Sequence, residues 1–162
     1  MKNELTDVSR REFLKTATAS ALALVGSATL VSALSGCGKD DPTSSRTGEK
    51  VSFNLNESGF EALRTVGGIL RRNFGANRNG GRDVIIRRVA ETEFRTVSVV
   101  CPHAGCDVGT PTQTQVECPC HNSVFSMQAS NFGARIGGIA PRGLTAFETA
   151  FNAETQVVTI TF

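Results

Sequence analysis

Two short boxes rich in cysteine and histidine constrain this chain more than any other feature of its sequence. The first reads CPHAGC over residues 101–106, and the second reads CPCHNS over residues 118–123. Together they hold four of the five cysteines and both histidines of the 162-residue chain. Fourteen residues separate His103 from Cys118, which is enough for two loops to converge on one metal centre.

Three kinds of chemistry fit these residue types. Two disulfide bonds beside two surface histidines are one possibility from the cysteine count. A structural zinc site is another, but zinc ligands paired along a chain are usually separated by two or more residues. Only one residue separates Cys101 from His103. The third possibility is a 2Fe-2S cluster with two Cys on one iron and two His on the other.

The two boxes resemble the cluster-binding boxes of the Rieske iron–sulfur protein family. The resemblance implies that the first Cys and the His of each box bind a 2Fe-2S cluster. It also implies that the remaining cysteines form a disulfide that ties the two loops together, as in respiratory members and unlike the Rieske ferredoxins of ring-hydroxylating systems. The implied ligands are Cys101, His103, Cys118 and His121, and the implied disulfide joins Cys106 to Cys120.

The ligand types explain the expected redox behaviour. Neutral imidazoles replace two thiolates, so the cluster carries less negative charge and accepts an electron more readily. Rieske potentials accordingly lie roughly between −150 and +300 mV, against about −400 mV for plant-type ferredoxins. Reduction can also take up a proton at a ligating histidine, which suits the oxidation of a quinol.

Residues around the second box refine this expectation. In respiratory members a serine two residues after the second His donates to a bridging sulfide, and Ser123 occupies that place. The highest-potential members then carry a tyrosine, where this chain has Phe125. One lost hydrogen bond is worth about 1 kcal/mol, which lowers a one-electron potential by roughly a few tens of millivolts. Pro141, within 137–143, matches a family loop that covers the third side of the cluster, whereas Asn122 replaces a commoner Gly.

The N-terminal sequence predicts export. Residues 9–15, SRREFLK, resemble the twin-arginine signal, with Arg10 and Arg11 as the paired arginines. An uncharged segment follows over residues 16–34. A protein exported in this way crosses the membrane already folded, so its cluster can be built in the cytoplasm, and its disulfide suits the oxidising side.

The export segment ends in Leu-Ser-Gly-Cys37, which resembles a bacterial lipobox. Lipidation of Cys37 accounts for the one cysteine that the two boxes do not use. The alternative is that the segment stays uncleaved as a membrane anchor. We therefore predict a signal peptide over 1–36 and a flexible tether over 37–50, with the protein anchored on the periplasmic side of a bacterial membrane.

The rest of the chain, residues 51–162, is predicted to be one all-β domain. The resemblance implies a Rieske-type antiparallel β-sandwich base with a cluster-binding subdomain inserted at about 100–141. Alternating or β-branched runs predict the strands of the base. These runs are Val51–Leu55, Asp83–Val89, Phe94–Val100, Leu144–Phe151 and Gln156–Phe162, with a further strand at Ser123–Met127. The glycine-rich segment Arg71–Arg82 is expected to be a turn region whose arginines form a solvated hairpin tip.

Composition and motifs bound the function. The formal net charge of +2 gives no nucleic-acid-binding footprint. We expect single-electron transfer as the iron–sulfur subunit of a quinol-oxidising, cytochrome bc-like chain, with quinol and a cytochrome b or c as partners. The chain is then an enzyme only by membership of that complex. Two alternatives are the small Rieske subunit of a periplasmic molybdenum oxidoreductase of the arsenite oxidase kind, and a non-redox zinc lipoprotein.

Overall fold

The computed structural model describes residues 48–162. The predicted signal peptide with Arg10 and Arg11, and the predicted lipidation site Cys37, lie outside the described residues. Within them the chain is all-β, as predicted. Its strands are β1 Lys50–Asn54, β2 Ile69–Arg72, β3 Val84–Arg88, β4 Phe94–Ser98, β5 Gln115–Glu117, β6 Val124–Ser126, β7 Arg135–Gly137, β8 Ala146–Asn152 and β9 Val157–Thr161. Short 3-10 helices occupy Glu61–Arg64, Asn79–Gly81 and Ala129–Asn131. No helix in this part of the chain is long and apolar enough to cross a membrane.

The strands form two antiparallel sheets. The larger sheet has six strands in the order β1-β9-β8-β4-β3-β2, and the smaller has three in the order β5-β6-β7. The two predicted hairpins, β3–β4 and β8–β9, are confirmed. All strands of the small sheet come from the segment between β4 and β8. The six-stranded sheet is therefore the base, and the inserted segment forms a subdomain of its own.

The N-terminal end of the described chain is paired to its C-terminal strand. β1 runs antiparallel to β9 from Lys50 opposite Thr161 to Asn54 opposite Val157. The Gly48 N–H donates to the Phe162 carbonyl at 2.6 Å. Strand pairing thus begins within the last residues of the segment predicted as a tether.

One core lies within the base. Apolar side chains of β1 and β9 pack against those of β3, β4 and the first 3-10 helix. Its buried members are Phe53, Leu55, Phe60, Leu63, Val84, Ile86, Phe94, Val158 and Ile160. Aromatic rings reinforce this core, since the Phe53 ring stacks on the Phe60 ring with centroids 4.1 Å apart. The ends of the six-stranded sheet therefore close over a common interior, which gives the base its sandwich character.

The β3–β4 hairpin is buried on both of its faces. Successive side chains of a strand point to opposite faces, and both faces of β3 are buried. Val84 and Ile86 enter the base core, whereas Ile85 enters a second core that lies under the cluster-binding subdomain. Val97 on β4 also belongs to the second core, together with both cysteines of the predicted iron site. The hairpin is thus the layer that joins the base to the subdomain.

The structure differs from the sequence-based expectations in the shortest elements. β2 begins before the predicted turn region and includes its first two arginines. β5 and β7, each three residues long, were not predicted. Strands this short owe their existence to pairing with β6 rather than to a periodic sequence pattern.

Candidate iron–sulfur centre

The first loop, residues 101–106, follows directly from the β3–β4 hairpin. The Cys101 N–H donates to the Cys106 carbonyl at 2.8 Å, and the Gly105 N–H donates to the Cys101 carbonyl at 3.0 Å. These bonds close the loop tightly, and Gly105 takes the turn with φ +74°. The closure leaves Cys101 buried and His103 exposed. One loop therefore presents its thiol inward and its imidazole outward.

The second loop, residues 118–123, repeats this construction before β6. The Cys118 N–H donates to the Ser123 carbonyl at 2.8 Å, and the Asn122 N–H donates to the Cys118 carbonyl at 2.9 Å. Asn122 stands four residues after its cysteine, as Gly105 does in the first loop, and has φ +55°. Asn is one of the few non-glycine residues that adopt this conformation readily. The replacement of the family's commoner Gly is therefore accommodated.

The two histidines meet between the loops. The Nδ1 atoms of His103 and His121 lie 3.1 Å apart, and their rings are nearly perpendicular, at 87°. Two imidazoles on one tetrahedral metal, with bonds of about 2.1 Å, place their ligating nitrogens about 3.4 Å apart. The observed separation is close to that value. Both rings are exposed. The pair can therefore hold one metal ion through Nδ1 at the surface of the molecule.

The two remaining thiols lie together in the interior. Cys101 is 1% exposed and Cys118 is 2% exposed. Burial raises the pKa of the Cys101 thiol, and the adjoining Cys118 thiol raises that pKa further. Thiolates at this site therefore require a compensating cation, such as ferric iron. The donor set of two buried thiols and two exposed imidazoles fits a 2Fe-2S cluster with unlike ligands on its two irons.

A disulfide joins the loops behind the ligand residues. Cys106 and Cys120 are bonded, as the family resemblance implied. Their sulfurs and that of Cys118 lie within 4.8 Å of one another. Because the bonded sulfurs are not thiolates, this group of three does not offer the cysteine-rich donor set of a structural zinc site. The disulfide instead fixes the distance between the two loops.

A third segment packs against the second loop. The Ser123 hydroxyl is fully buried and accepts a hydrogen bond from the Ala140 N–H at 3.0 Å, so its own proton is free to donate elsewhere. Gly138, with φ +79°, approaches the Ser123 backbone so closely that a side chain there would collide with it. Pro141, singled out from the sequence, is exposed. Gly138 and Ala140, rather than Pro141, make the contacts with Ser123. The only indication of these contacts in the sequence was the small size of two residues within a loop.

Phe125 is fully buried in the second core beside the two cysteines. It lies on β6 and pairs with Val116 on β5. A Phe here supplies packing and no hydrogen-bond donor. The residue thus fills the interior beneath the site, and the hydroxyl of the tyrosine found in other members is missing.

Arginines of the base hold the inserted segment by its backbone carbonyls. Arg71 donates to Asp83 at 2.7 Å and to the Val108 and Gly109 carbonyls at 2.7 and 2.9 Å. Its guanidinium holds the pKa of Asp83 below the usual range. Arg82 donates to the Gly105 carbonyl at 3.0 Å. The expectation of a solvated hairpin tip is therefore wrong, and sequence alone gave no signal for these long-range partners.

These features define a small β domain that carries an iron–sulfur centre on two disulfide-linked loops. The sequence model of the Rieske [2Fe-2S] domain matches residues 66–135, which include β2 to β6 and both boxes. The chain therefore carries a Rieske domain, and its cofactor is a 2Fe-2S cluster, as the resemblance implied. No curated protein matches the chain.

Several solved structures are similar at low identity. The quaternary ammonium Rieske monooxygenase CntA is 16% identical with a TM-score of 0.48, over 72% of this chain and 31% of that one. The soluble domain of Rieske protein II (soxF) from Sulfolobus acidocaldarius is 23% identical with a TM-score of 0.39, over 54% of this chain and 48% of that one. The terminal oxygenase of carbazole 1,9a-dioxygenase from Novosphingobium sp. KA1 is 13% identical with a TM-score of 0.41, over 60% and 26%. The chain thus spans about a third of CntA.

Gly138→Ala is expected to destabilise the protein by roughly 3 kcal/mol or more. It adds the strain of a positive φ, about 1–2 kcal/mol, to a collision with the Ser123 backbone, which costs about 1–3 kcal/mol. Gly105→Ala is the matched control, because its φ is similar but nothing lies within 4 Å of the added Cβ. Urea unfolding of the purified protein measures both free energies. Equal losses in the two variants would contradict the close packing at Gly138.

Proposed function

We propose that this protein transfers single electrons through a 2Fe-2S cluster held by Cys101, His103, Cys118 and His121. The observation that carries the proposal is the opposite exposure of the two ligand types. Both thiols are buried in the second core, whereas both imidazoles are exposed. When bound, the cluster supplies a centre that takes up and returns one electron. The exposed imidazole edge is the side from which a partner reaches it.

The histidines also suit the coupling of a proton to that electron. In each ring Nδ1 faces the other histidine, so Nε2 is the nitrogen left to form a hydrogen bond with a donor. An imidazole at that position can accept a hydrogen bond from a quinol hydroxyl and later release the proton. The disulfide supports the respiratory type of Rieske protein over the ferredoxin type, because the resemblance associates it with the former.

The setting that these features favour is a quinol-oxidising chain on the outer face of a bacterial membrane. The protein is then an electron-transfer subunit between quinol, bound with a cytochrome b partner, and a cytochrome c. The twin-arginine sequence supports export of an already folded domain, and the sequence around Cys37 supports anchoring by a lipid. Co-purification with a large molybdopterin subunit, in place of a cytochrome b, would instead favour the arsenite oxidase-like setting.

An EPR-monitored redox titration of the full-length protein at several pH values tests the proposal. We expect a Rieske-type signal with a positive potential that falls as pH rises past neutral, because reduction takes up a proton at a ligating imidazole. A potential near or below zero that does not change with pH would oppose quinol oxidation. Bound zinc without iron and sulfide would refute the cluster itself.

Ser123→Ala is expected to lower the potential by roughly a few tens of millivolts, the equivalent of one lost hydrogen bond of about 1 kcal/mol to the cluster. Ser126→Ala is the matched control, because Ser126 is also buried but its hydroxyl donates to Asn131. Phe125→Tyr is expected to change the potential in the opposite direction, by supplying the hydroxyl donor. Protein-film voltammetry measures all three variants. A similar shift in Ser126→Ala would show that the effect is not specific to a donor at the cluster.

Export and anchoring are tested in cells by two sets of substitutions. Changing Arg10 and Arg11 to Lys together is expected to retain the protein in the cytoplasm. Cys37→Ser is expected to abolish labelling by a radioactive fatty acid. Cell fractionation and immunoblotting locate each variant. Wild-type protein that carries no fatty acid but remains in the membrane fraction would favour the uncleaved anchor.

A further inference from the structure

The first loop is held from outside by a charged pair. Arg82 precedes β3, and Asp107 follows the disulfide cysteine Cys106. The Arg82 guanidinium donates to the Asp107 carboxylate through Nε at 2.9 Å, with Nη2 2.7 Å from the same oxygen. Nη2 also donates to the Gly105 carbonyl at 3.0 Å. One side chain thus holds the loop on both sides of Cys106.

The backbone around Arg82 is itself fixed. The Asn79 side-chain amide donates to the Arg82 and Asp83 carbonyls at 3.3 and 2.5 Å. Its oxygen accepts from the Ser98 hydroxyl at 2.8 Å, and that hydroxyl in turn accepts from the Val100 N–H at 3.0 Å. The guanidinium is therefore carried by a segment that is hydrogen-bonded to the end of β4, just before the first loop.

The pair is also balanced in charge and reaches the surface. The side chains of Arg82 and Asp107 are 41% and 37% exposed. The loop that they hold carries His103, two residues before Gly105. Charges that lie within about 10 Å of each other are not fully screened at about 0.1 M salt. Either charge, left alone, would therefore act on the ligand loop.

We propose that the Arg82–Asp107 pair positions the first loop, and that its two charges act on the reduction potential of the centre with opposite signs. The proposal rests on the proposed electron-transfer function. It names two residues outside the ligand set that affect the reduction potential. Below neutral pH, where no proton is taken up with the electron, reduction adds one negative charge at the centre. An unpaired carboxylate opposes that addition, and an unpaired guanidinium favours it. Within the pair the two effects offset each other.

This reasoning predicts opposite signs for the two single substitutions. Arg82→Gln leaves the Asp107 charge alone and lowers the potential. Asp107→Asn leaves the Arg82 charge alone and raises it. The double variant returns close to the wild-type value. If the pair only held the loop in place, no such reversal of sign would occur, because removal of either partner would loosen the same loop.

The test is a redox titration by EPR and protein-film voltammetry on the full chain with its cluster, at about 0.1 M and 1 M salt. The opposite shifts should shrink at about 1 M salt, where the screening length falls to about 3 Å. Arg95→Gln and Glu93→Gln are matched controls. Arg95 is 42% exposed, pairs with Glu93 and donates to the Ala129 carbonyl. It lies six residues before Cys101, about 20 Å along an extended strand, so we expect little shift.

Shifts of the same sign in Arg82→Gln and Asp107→Asn would overturn the proposal, as would shifts no larger than those of the controls. If Arg82→Gln does not retain a cluster, Asp107→Asn and Arg82→Lys decide. The former must raise the potential, and the latter must keep it near the wild-type value. The proposed function fails separately, since its failure would be a wild-type protein without a Rieske-type signal.

Discussion

The two-sided burial of the β3–β4 hairpin is the constraint on which the rest of the structure depends. Because neighbouring side chains of β3 enter different cores, the base and the inserted subdomain share one rigid layer. Only two residues lie between the end of β4 at Ser98 and the start of the first loop at Cys101. The second loop is then held against the first by the disulfide and by the three-stranded sheet. The positions of the ligand residues are therefore fixed by the most buried part of the fold.

The two loops show how one local pattern can separate thiols from imidazoles. In each, a pair of backbone hydrogen bonds closes the turn, and a residue with positive φ stands four positions after the cysteine. The cysteine then lies at the buried start of the loop, and the histidine lies at its exposed tip. Such a division suits a centre that must be protected from water on one side and reachable by a partner on the other. The hydrogen bond from the Ala140 N–H to the Ser123 hydroxyl packs a third segment against the second loop.

How much of this was visible in the sequence depends on the range of each interaction. The ligand boxes, the disulfide cysteines and the two long hairpins were predicted, because each is encoded by a local pattern or a family motif. β5 and β7 were not predicted, since three residues carry too little periodicity. The bonds from Arg71 and Arg82 to loop carbonyls span 23 to 38 residues. Backbone acceptors carry no residue-type signal, so such contacts are invisible before the fold is known.

The pairing of β1 with β9 has a mechanical consequence. Gly48 and Glu49 are both bonded to Phe162, and β1 then continues in antiparallel register with β9 over its whole length. A pull transmitted along β1 through the residues before Gly48 would load these hydrogen bonds together, in shear. Peeling would instead break them one at a time. A domain pulled in this direction would therefore resist unfolding at β1, because all of these hydrogen bonds would have to break together.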